Sequence, residues 1–190
     1  MNKNTFIALC RDLAFRKNEL SKKLIPLVRQ HYIDSRKQKL PVLWIETNDS
    51  GDNNISFMNT TYPYLGQVLT EMIDLLYSNT FMAAQGEDAL DILKEASRRY
   101  AGMFTLVVEG AIPTKDQGLY NAIAITENFP LTAKEVIMWL GPLAKNVVAI
   151  GTCASFGGPS GARPNLTGSV GVSDILDRQI INVSGCPVNP

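Results

Sequence analysis

Two cysteines follow strand-like apolar runs, and their thiols are the groups in this sequence best suited to chemistry. Asn146–Ile150 (NVVAI) precedes Gly-Thr-Cys153, and residues 180–183 (IINV) precede Ser-Gly-Cys186. Short β-branched runs bounded by Gly and Pro predict buried parallel strands, so both thiols should emerge in loops at the carboxyl edge of one sheet. Open α/β folds build their ligand sites at that edge. Thiolates there would suit a metal ion or an iron–sulfur cluster.

The cysteines also have a purely structural interpretation. A free cysteine is often a small buried hydrophobe, and two of them at strand ends need have no chemical role. The chain has 190 residues and three cysteines, which do not make a disulfide framework. Cys10 is predicted on the apolar face of an N-terminal helix. His31 is the only histidine, which excludes a multi-histidine metal site.

From residue 40 onward, strand-like and helix-like patterns alternate. The predicted strands are residues 41–46, 105–110, 146–150 and 180–183. The predicted helices are residues 86–99, residues 131–145 after Pro130, and residues 64–73, with 74–79 as a continuation or a short strand. This alternation predicts an α/β fold whose parallel sheet is covered on both faces. A hydrophobic content of 45% in 190 residues suits one such domain with a sizeable core.

Charge divides the chain near residue 40. Residues 1–40 carry ten Lys and Arg against three Asp and Glu, which leaves eight against fifteen in residues 41–190. The prediction is a basic amphipathic helical arm (1–40) joined to an acidic domain (41–190). Apolar residues interleave the charges of the arm at helical spacing, which favours a docking helix over a nucleic-acid-binding arm. No apolar stretch reaches 18 residues, so no membrane span is predicted, and a cytoplasmic location is expected.

An ordered series of short motifs resembles the small, electron-transferring subunit of [NiFe] hydrogenases. The motifs are PVLWI (41–45), TFMAA (80–84), VEGAIPT (108–114), AIGTCASFGG (149–158), PNLTGSVG (164–171) and GCPVNP (185–190). Together they cover the whole acidic domain. The resemblance implies a flavodoxin-like three-layer sandwich that holds a [4Fe-4S] cluster facing a nickel–iron large subunit. It places Cys153 and Cys186 at the third and fourth ligand positions of that cluster.

The first two ligand positions depart from the family pattern. The family has Glu-Cys-x-Gly-Cys-Ser-Glu-Ser after the first strand, and this chain has DSGDNNIS at residues 49–56, which puts Ser50 and Asn53 at the cysteine positions. A serine must lose a far more basic proton than a thiol, and an asparagine amide is a neutral, weak ligand. Two good ligands of four predict a labile cluster or none.

Several interpretations of residues 49–56 remain open. The cluster site is lost and these polar residues serve the turn, or a cluster is retained with oxygen ligands from Ser50, Asp49 or Asp52, or from a neighbouring chain. Asp49 and Asp52 form a weak candidate site for a divalent cation, because Asp-x-x-Asp lacks the ligand count of a calcium loop. A flavin phosphate could lie in this loop as in flavodoxins, but two carboxylates would repel it.

The function predicted from the resemblance is electron transfer to or from a [NiFe] hydrogenase large subunit through an iron–sulfur cluster, so that the complex oxidises H2 or reduces protons. A further electron-transfer subunit would then be a second partner. The alternatives are a cluster-free scaffold or assembly subunit that keeps only the large-subunit interface, and a flavin-binding module. Glu109 is predicted to have a hydrogen-bonding role at the sheet edge. Ile55 and Phe156 are candidate interface residues.

Overall fold

The computed structural model describes residues 39–126 and 129–190. Cys10, His31 and the predicted arm up to residue 38 lie outside these ranges. The strands of the described part are β1 (Leu40–Glu46), β2 (Ile73–Ser78), β3 (Thr105–Glu109), β4 (Ala122–Ile125), β5 (Pro130–Thr132), β6 (Asn146–Ile150) and β7 (Ile181–Val183). The α-helices are α1 (Asp52–Met58), α2 (Leu65–Gln67, continued by a π-helical turn at Val68–Met72), α3 (Gly86–Arg99), α4 (Ala133–Leu140), α5 (Gly151–Phe156) and α6 (Gly158–Gly161).

Five of these strands form one parallel sheet. Their order is β2-β1-β3-β6-β7, while β4 and β5 pair separately as an antiparallel hairpin. Without the hairpin, the order along the chain becomes 2-1-3-4-5, which is the flavodoxin-like arrangement. The predicted α/β fold with a parallel sheet is therefore confirmed.

Central strands are covered on both faces, as predicted. Four successive residues of β1, Val42 to Ile45, are buried, and successive side chains of a strand point to opposite faces. Strand β3 behaves in the same way, because Leu106 and Val108 are buried on one face and Thr105 and Glu109 on the other. By contrast, all three residues of β7 are exposed, because it lies at the edge of the sheet. The prediction of a buried strand near residue 180 was therefore wrong in its burial.

Strand register brings four strand ends to the same level. Glu46 lies beside Glu109, Glu109 beside Ile150, and Ile150 beside Val183. The segments that follow β1, β3, β6 and β7 therefore begin side by side. This edge of the sheet is called the carboxyl edge below.

Two helix predictions need correction. The helix predicted over residues 131–145 begins at Ala133, because Thr132 caps it and residues 130–132 form a strand. The N–H of Glu135 donates to Thr132 Oγ1 (3.3 Å) and the N–H of Thr132 donates to Glu135 Oε2 (2.9 Å), which is a capping box. At the other end, Pro142 lies in a 3₁₀ turn, where it cannot continue the α-helical ladder.

The second correction concerns Cys153. The sequence predicts this residue in a loop after a strand, but it lies in helix α5. Residues 73–78 form strand β2, which settles the ambiguity left there by the sequence. In the described part of the chain, no helix combines the length and the apolar character that a membrane crossing requires.

Candidate functional site

Backbone hydrogen bonds join the segments at the carboxyl edge. The N–H of Thr47 donates to the carbonyl of Glu109 (2.8 Å), and Asn48 pairs with Ala111 in an isolated bridge. Gly110 allows this close approach, because its φ is +96° and a Cβ would lie 2.8 Å from the Asn48 backbone. On the other side, the N–H of Thr152 donates to the carbonyl of Gly185 (2.8 Å). These hydrogen bonds hold the segments that carry the predicted site residues side by side at the carboxyl edge.

Both predicted ligand cysteines lie at this edge as free thiols. Cys153 is half-buried in α5 and Cys186 is exposed after β7. The Cys186 thiol donates to Asp52 Oδ2 at 3.5 Å. That hydrogen bond and the negative charge of Asp52 raise the pKa of Cys186, while burial, then Cys186 and Asp52, raise the pKa of Cys153. Both groups therefore carry their protons at neutral pH in this arrangement.

Asp49 has the most perturbed carboxyl group of the edge. Burial, then repulsion from Glu109 and Glu46, raises the pKa of Asp49 from 3.8 to about 7. The N–H of Gly51 donates to Asp49 Oδ1 (3.2 Å), but Oδ2 is buried and has no hydrogen-bond partner among the described residues. Asp49 therefore exchanges its proton near neutral pH.

Glu109 is the buried hydrogen-bonding residue at the end of β3. Its side chain is fully buried, and Oε2 accepts from Trp44 Nε1 (3.0 Å) while Oε1 accepts from the Asn53 backbone N–H (3.1 Å). The pKa of Glu109 is raised, because burial raises it by more than these hydrogen bonds lower it. The predicted structural role of Glu109 is confirmed by these contacts.

Ser50 and Asn53, at the first two predicted ligand positions, lie in different environments. Ser50 is exposed just before α1, whereas Asn53 is buried in its first turn. Asn53 Oδ1 accepts from the N–H of Val188 at 2.9 Å. A Cβ on Gly151 would lie 2.6 Å from Asn53 Nδ2, so that side of the carboxamide is packed against the start of α5.

These environments do not fit a four-thiolate cluster. The edge offers two thiols, an exposed hydroxyl and a carboxamide whose oxygen is already used within the protein. Iron–sulfur clusters are held by soft, anionic sulfur ligands, and neither Ser50 nor Asn53 supplies one. Within residues 39–126 and 129–190, no three His, Cys, Asp or Glu side chains are grouped so as to hold a metal ion.

Sequence reasoning missed the side chains that fasten the C-terminal segment. Ser56 Oγ donates to the carbonyl of Val188 (2.6 Å), and Thr152 Oγ1 donates to the carbonyl of Gly185 (3.1 Å). Sequence reasoning also did not identify Asn54, which is 2% exposed. Within the described residues, neither its side-chain oxygen nor its side-chain nitrogen has a hydrogen-bond partner. The one available signal was the spacing of Asn53 and Ser56, which places both on one face of a short helix.

Comparison with known proteins gives a family for most of the chain. Residues 51–190 match the family model described as "NADH ubiquinone oxidoreductase, 20 Kd subunit". That range begins at the loop before α1 and includes Cys153, Cys186 and every segment of the carboxyl edge after Ser50. The match therefore includes most of the candidate site, while Asp49, Ser50 and strand β1 lie before it.

Hydrogenase small subunits are among the most similar curated proteins. The chain is 34% identical over 170 residues to the periplasmic [NiFeSe] hydrogenase small subunit of Desulfomicrobium baculatum, covering 84% of this chain and 54% of that protein. It is 33% identical over 193 residues to periplasmic [NiFe] hydrogenase small subunit 1 of Nitratidesulfovibrio vulgaris, covering 100% of this chain and 58% of that protein. The chain thus spans a little over half the length of these two relatives.

Solved structures agree with this result. The crystal structure of the reduced, active Ni-Fe-Se hydrogenase from Desulfomicrobium baculatum matches with a TM-score of 0.77 at 34% identity, over 80% of this chain and 58% of that one. The sheet order, the motif series and the family match agree on one assignment. This chain belongs to the [NiFe] hydrogenase small-subunit family.

Proposed function

We propose that this chain is the small-subunit component of a [NiFe]-hydrogenase-type complex, with the electron-transfer role that small subunits have in that family. Its partner is a nickel–iron large subunit, and the reaction of the complex is oxidation of H2 or reduction of protons. Family membership supports the proposal. The observation that supports it is the carboxyl edge, where strand register and backbone hydrogen bonds bring together the segments that carry Cys153, Cys186 and Glu109.

Exposed apolar side chains lie on segments that begin at this edge. Ile55 in α1 is 54% exposed, and Phe156 at the end of α5 is 67% exposed. Both side chains are large and apolar, and both lie on helices that begin beside the candidate site. We therefore propose the carboxyl edge as the face that contacts the large subunit.

Co-expression with the large subunit from the same organism tests this face. Ile55→Asp and Phe156→Asp each place a charge in the proposed interface, so the amount of large subunit retained on the tagged chain should fall at least about tenfold. Met103→Asp is the control, because Met103 is 51% exposed just before β3, at the opposite edge of the sheet. Equal retention by all three variants would contradict the proposed face.

A second candidate function is a cluster-free scaffold or assembly subunit that keeps the same interface. The observation that favours it is Asn53, a buried, neutral carboxamide whose oxygen already accepts a hydrogen bond from the Val188 N–H. Electron transfer by this chain would need a redox group, and near the first two ligand positions Ser50, Asp49 and Asp52 offer oxygen atoms in place of thiolates. No comparable observation favours the flavin-binding alternative.

Iron and acid-labile sulfide in the anaerobically purified complex separate the two candidates. About four of each per chain would assign a [4Fe-4S] cluster completed by oxygen or borrowed ligands, and with it the electron-transfer role. Values near zero in an intact complex would assign the scaffold. A further electron-transfer subunit is proposed only with the first result, and its presence is read from the same preparation by mass spectrometry.

Location is proposed separately from function. We propose the cytoplasm, although the names of both relatives given above place those proteins in the periplasm. Fractionation of the native organism decides between the two compartments. Recovery with periplasmic marker proteins would overturn the cytoplasmic proposal and leave the family assignment intact.

A further inference from the structure

Three side chains attach the C-terminal segment to helix α1. The N–H of Val188 donates to Asn53 Oδ1 (2.9 Å), and the carbonyl of Val188 accepts from Ser56 Oγ (2.6 Å). Nearby, the Cys186 thiol donates to Asp52 Oδ2 at 3.5 Å. Because Asn53 and Ser56 are three residues apart, one face of α1 satisfies both backbone groups of Val188.

Asn53 is the residue at which this attachment meets the rest of the edge. Its side chain is 6% exposed. Its backbone N–H donates to Glu109 Oε1 (3.1 Å) at the end of β3. Its Nδ2 would be 2.6 Å from a Cβ on Gly151, the first residue of α5 after β6. A single side chain and its amide thus contact the segments that follow three strands.

We propose that Asn53 is a positioning residue that holds the carboxyl edge together by two hydrogen bonds, one accepted by its carboxamide oxygen and one donated by its backbone N–H, at the place where a cluster ligand would hold it by a metal–sulfur bond. The inference rests on the proposed function, because the shape that Asn53 maintains is the face proposed to contact the large subunit. This role differs from that of the weak ligand predicted from the sequence, because the Asn53 oxygen already accepts a hydrogen bond from the Val188 N–H.

The chemistry of the pocket explains why asparagine suits it. An aspartate would place a second negative charge in a buried space beside Glu109 and near Asp49, which is costly. An alanine would leave the Val188 N–H without its partner. Asparagine provides the acceptor without the charge, and its amide end fills the space against Gly151.

Hydrogen exchange of the full-length chain tests the proposal directly. In Asn53→Ala, the Val188 amide within the peptide spanning residues 184–190 should exchange about tenfold faster than in the wild type, because its part-buried hydrogen bond is lost. Asn48→Ala is the matched control, since Asn48 Nδ2 donates to Ser160 Oγ (3.0 Å) at the same edge but away from this segment. An unchanged 184–190 peptide in Asn53→Ala, or an equal change in Asn48→Ala, would overturn the proposal.

A wild-type measurement covers the case in which Asn53→Ala does not fold. The Val188 amide should exchange at least about tenfold more slowly than the Asn189 amide, which donates no hydrogen bond within the described residues. Equal rates would overturn the proposal. The proposed function is tested separately, by binding of the large subunit. The role of Asn53 can therefore be confirmed in a chain that does not bind a large subunit, and it can be refuted in a chain that does.

Discussion

Replacement of Asp49 by asparagine should make the protein more stable above neutral pH. The pKa of Asp49 is raised from 3.8 to about 7 by burial and by Glu109 and Glu46. At about 1.36 kcal/mol per pKa unit, that shift corresponds to about 4 kcal/mol for a fully desolvated group. Because Asp49 is only half-buried, solvent screening reduces the expected effect to about 1–2 kcal/mol.

The direction of the pH dependence follows from linkage. A carboxyl group whose pKa is higher in the folded state contributes its stability below the unfolded pKa of 3.8, and that stability is lost as pH rises to about 7. The carboxamide introduced by Asp49→Asn carries no charge at any pH, so the variant avoids the loss. The N–H of Gly51, which now donates to Asp49 Oδ1, keeps an acceptor in the variant.

Urea unfolding at about pH 4.5 and about pH 8 measures this effect. The advantage of Asp49→Asn over the wild type should grow by about 1 kcal/mol between the two pH values. Asp177→Asn, at an exposed carboxyl, is the control and should stay within about 0.5 kcal/mol of wild type at both. A variant whose advantage does not change with pH, or shrinks as pH rises, would refute the reasoning about Asp49.

Three further outcomes are expected. Ser50→Cys combined with Asn53→Cys places thiols at all four ligand positions, so anaerobic reconstitution should load about four iron and four sulfide per chain; iron no higher than in the wild type would show that the positions are wrongly assigned. Thr132→Ala removes the capping box of α4 and should lower the free energy of unfolding by about 1 kcal/mol in urea titrations, and a loss below about 0.3 kcal/mol would count against it. Gly151→Ala should cost about 1–2 kcal/mol more than Gly102→Ala in the same assay, because both glycines have positive φ but only at Gly151 does a Cβ meet a neighbour; equal costs would contradict the packing described there.

The alternating pattern from residue 40 onward predicted most of the fold. Alternating apolar strands and amphipathic helices determine a parallel sheet almost by themselves, and helix α3 was predicted over the same residues it occupies, Gly86–Arg99. The hairpin of β4 and β5 was missed. Strand β4 is only four residues, Ala122–Ile125, and none of them is buried, so it carries no apolar alternation to read.

The positions of the site residues were predictable, but their contacts were not. The strands of a parallel sheet all end at the same edge, so the predicted parallel sheet already places Cys153 and Cys186 at one edge. The bond between Asn53 and Val188 joins residues 135 positions apart, and no local signal in either segment encodes it. In the same way, the raised pKa of Asp49 depends on burial and on Glu109, which approaches Asp49 only in the folded sheet.

The molar mass of the complex formed with a nickel–iron large subunit is the most direct test of the central claim. The wild-type chain and the large subunit from the same organism would be co-expressed and purified under anaerobic conditions, and the mass of the eluting species measured by light scattering. The account predicts one species with the summed mass of one copy of each chain. Separate elution of the two chains, with both folded, would contradict the assignment of this chain as a small subunit.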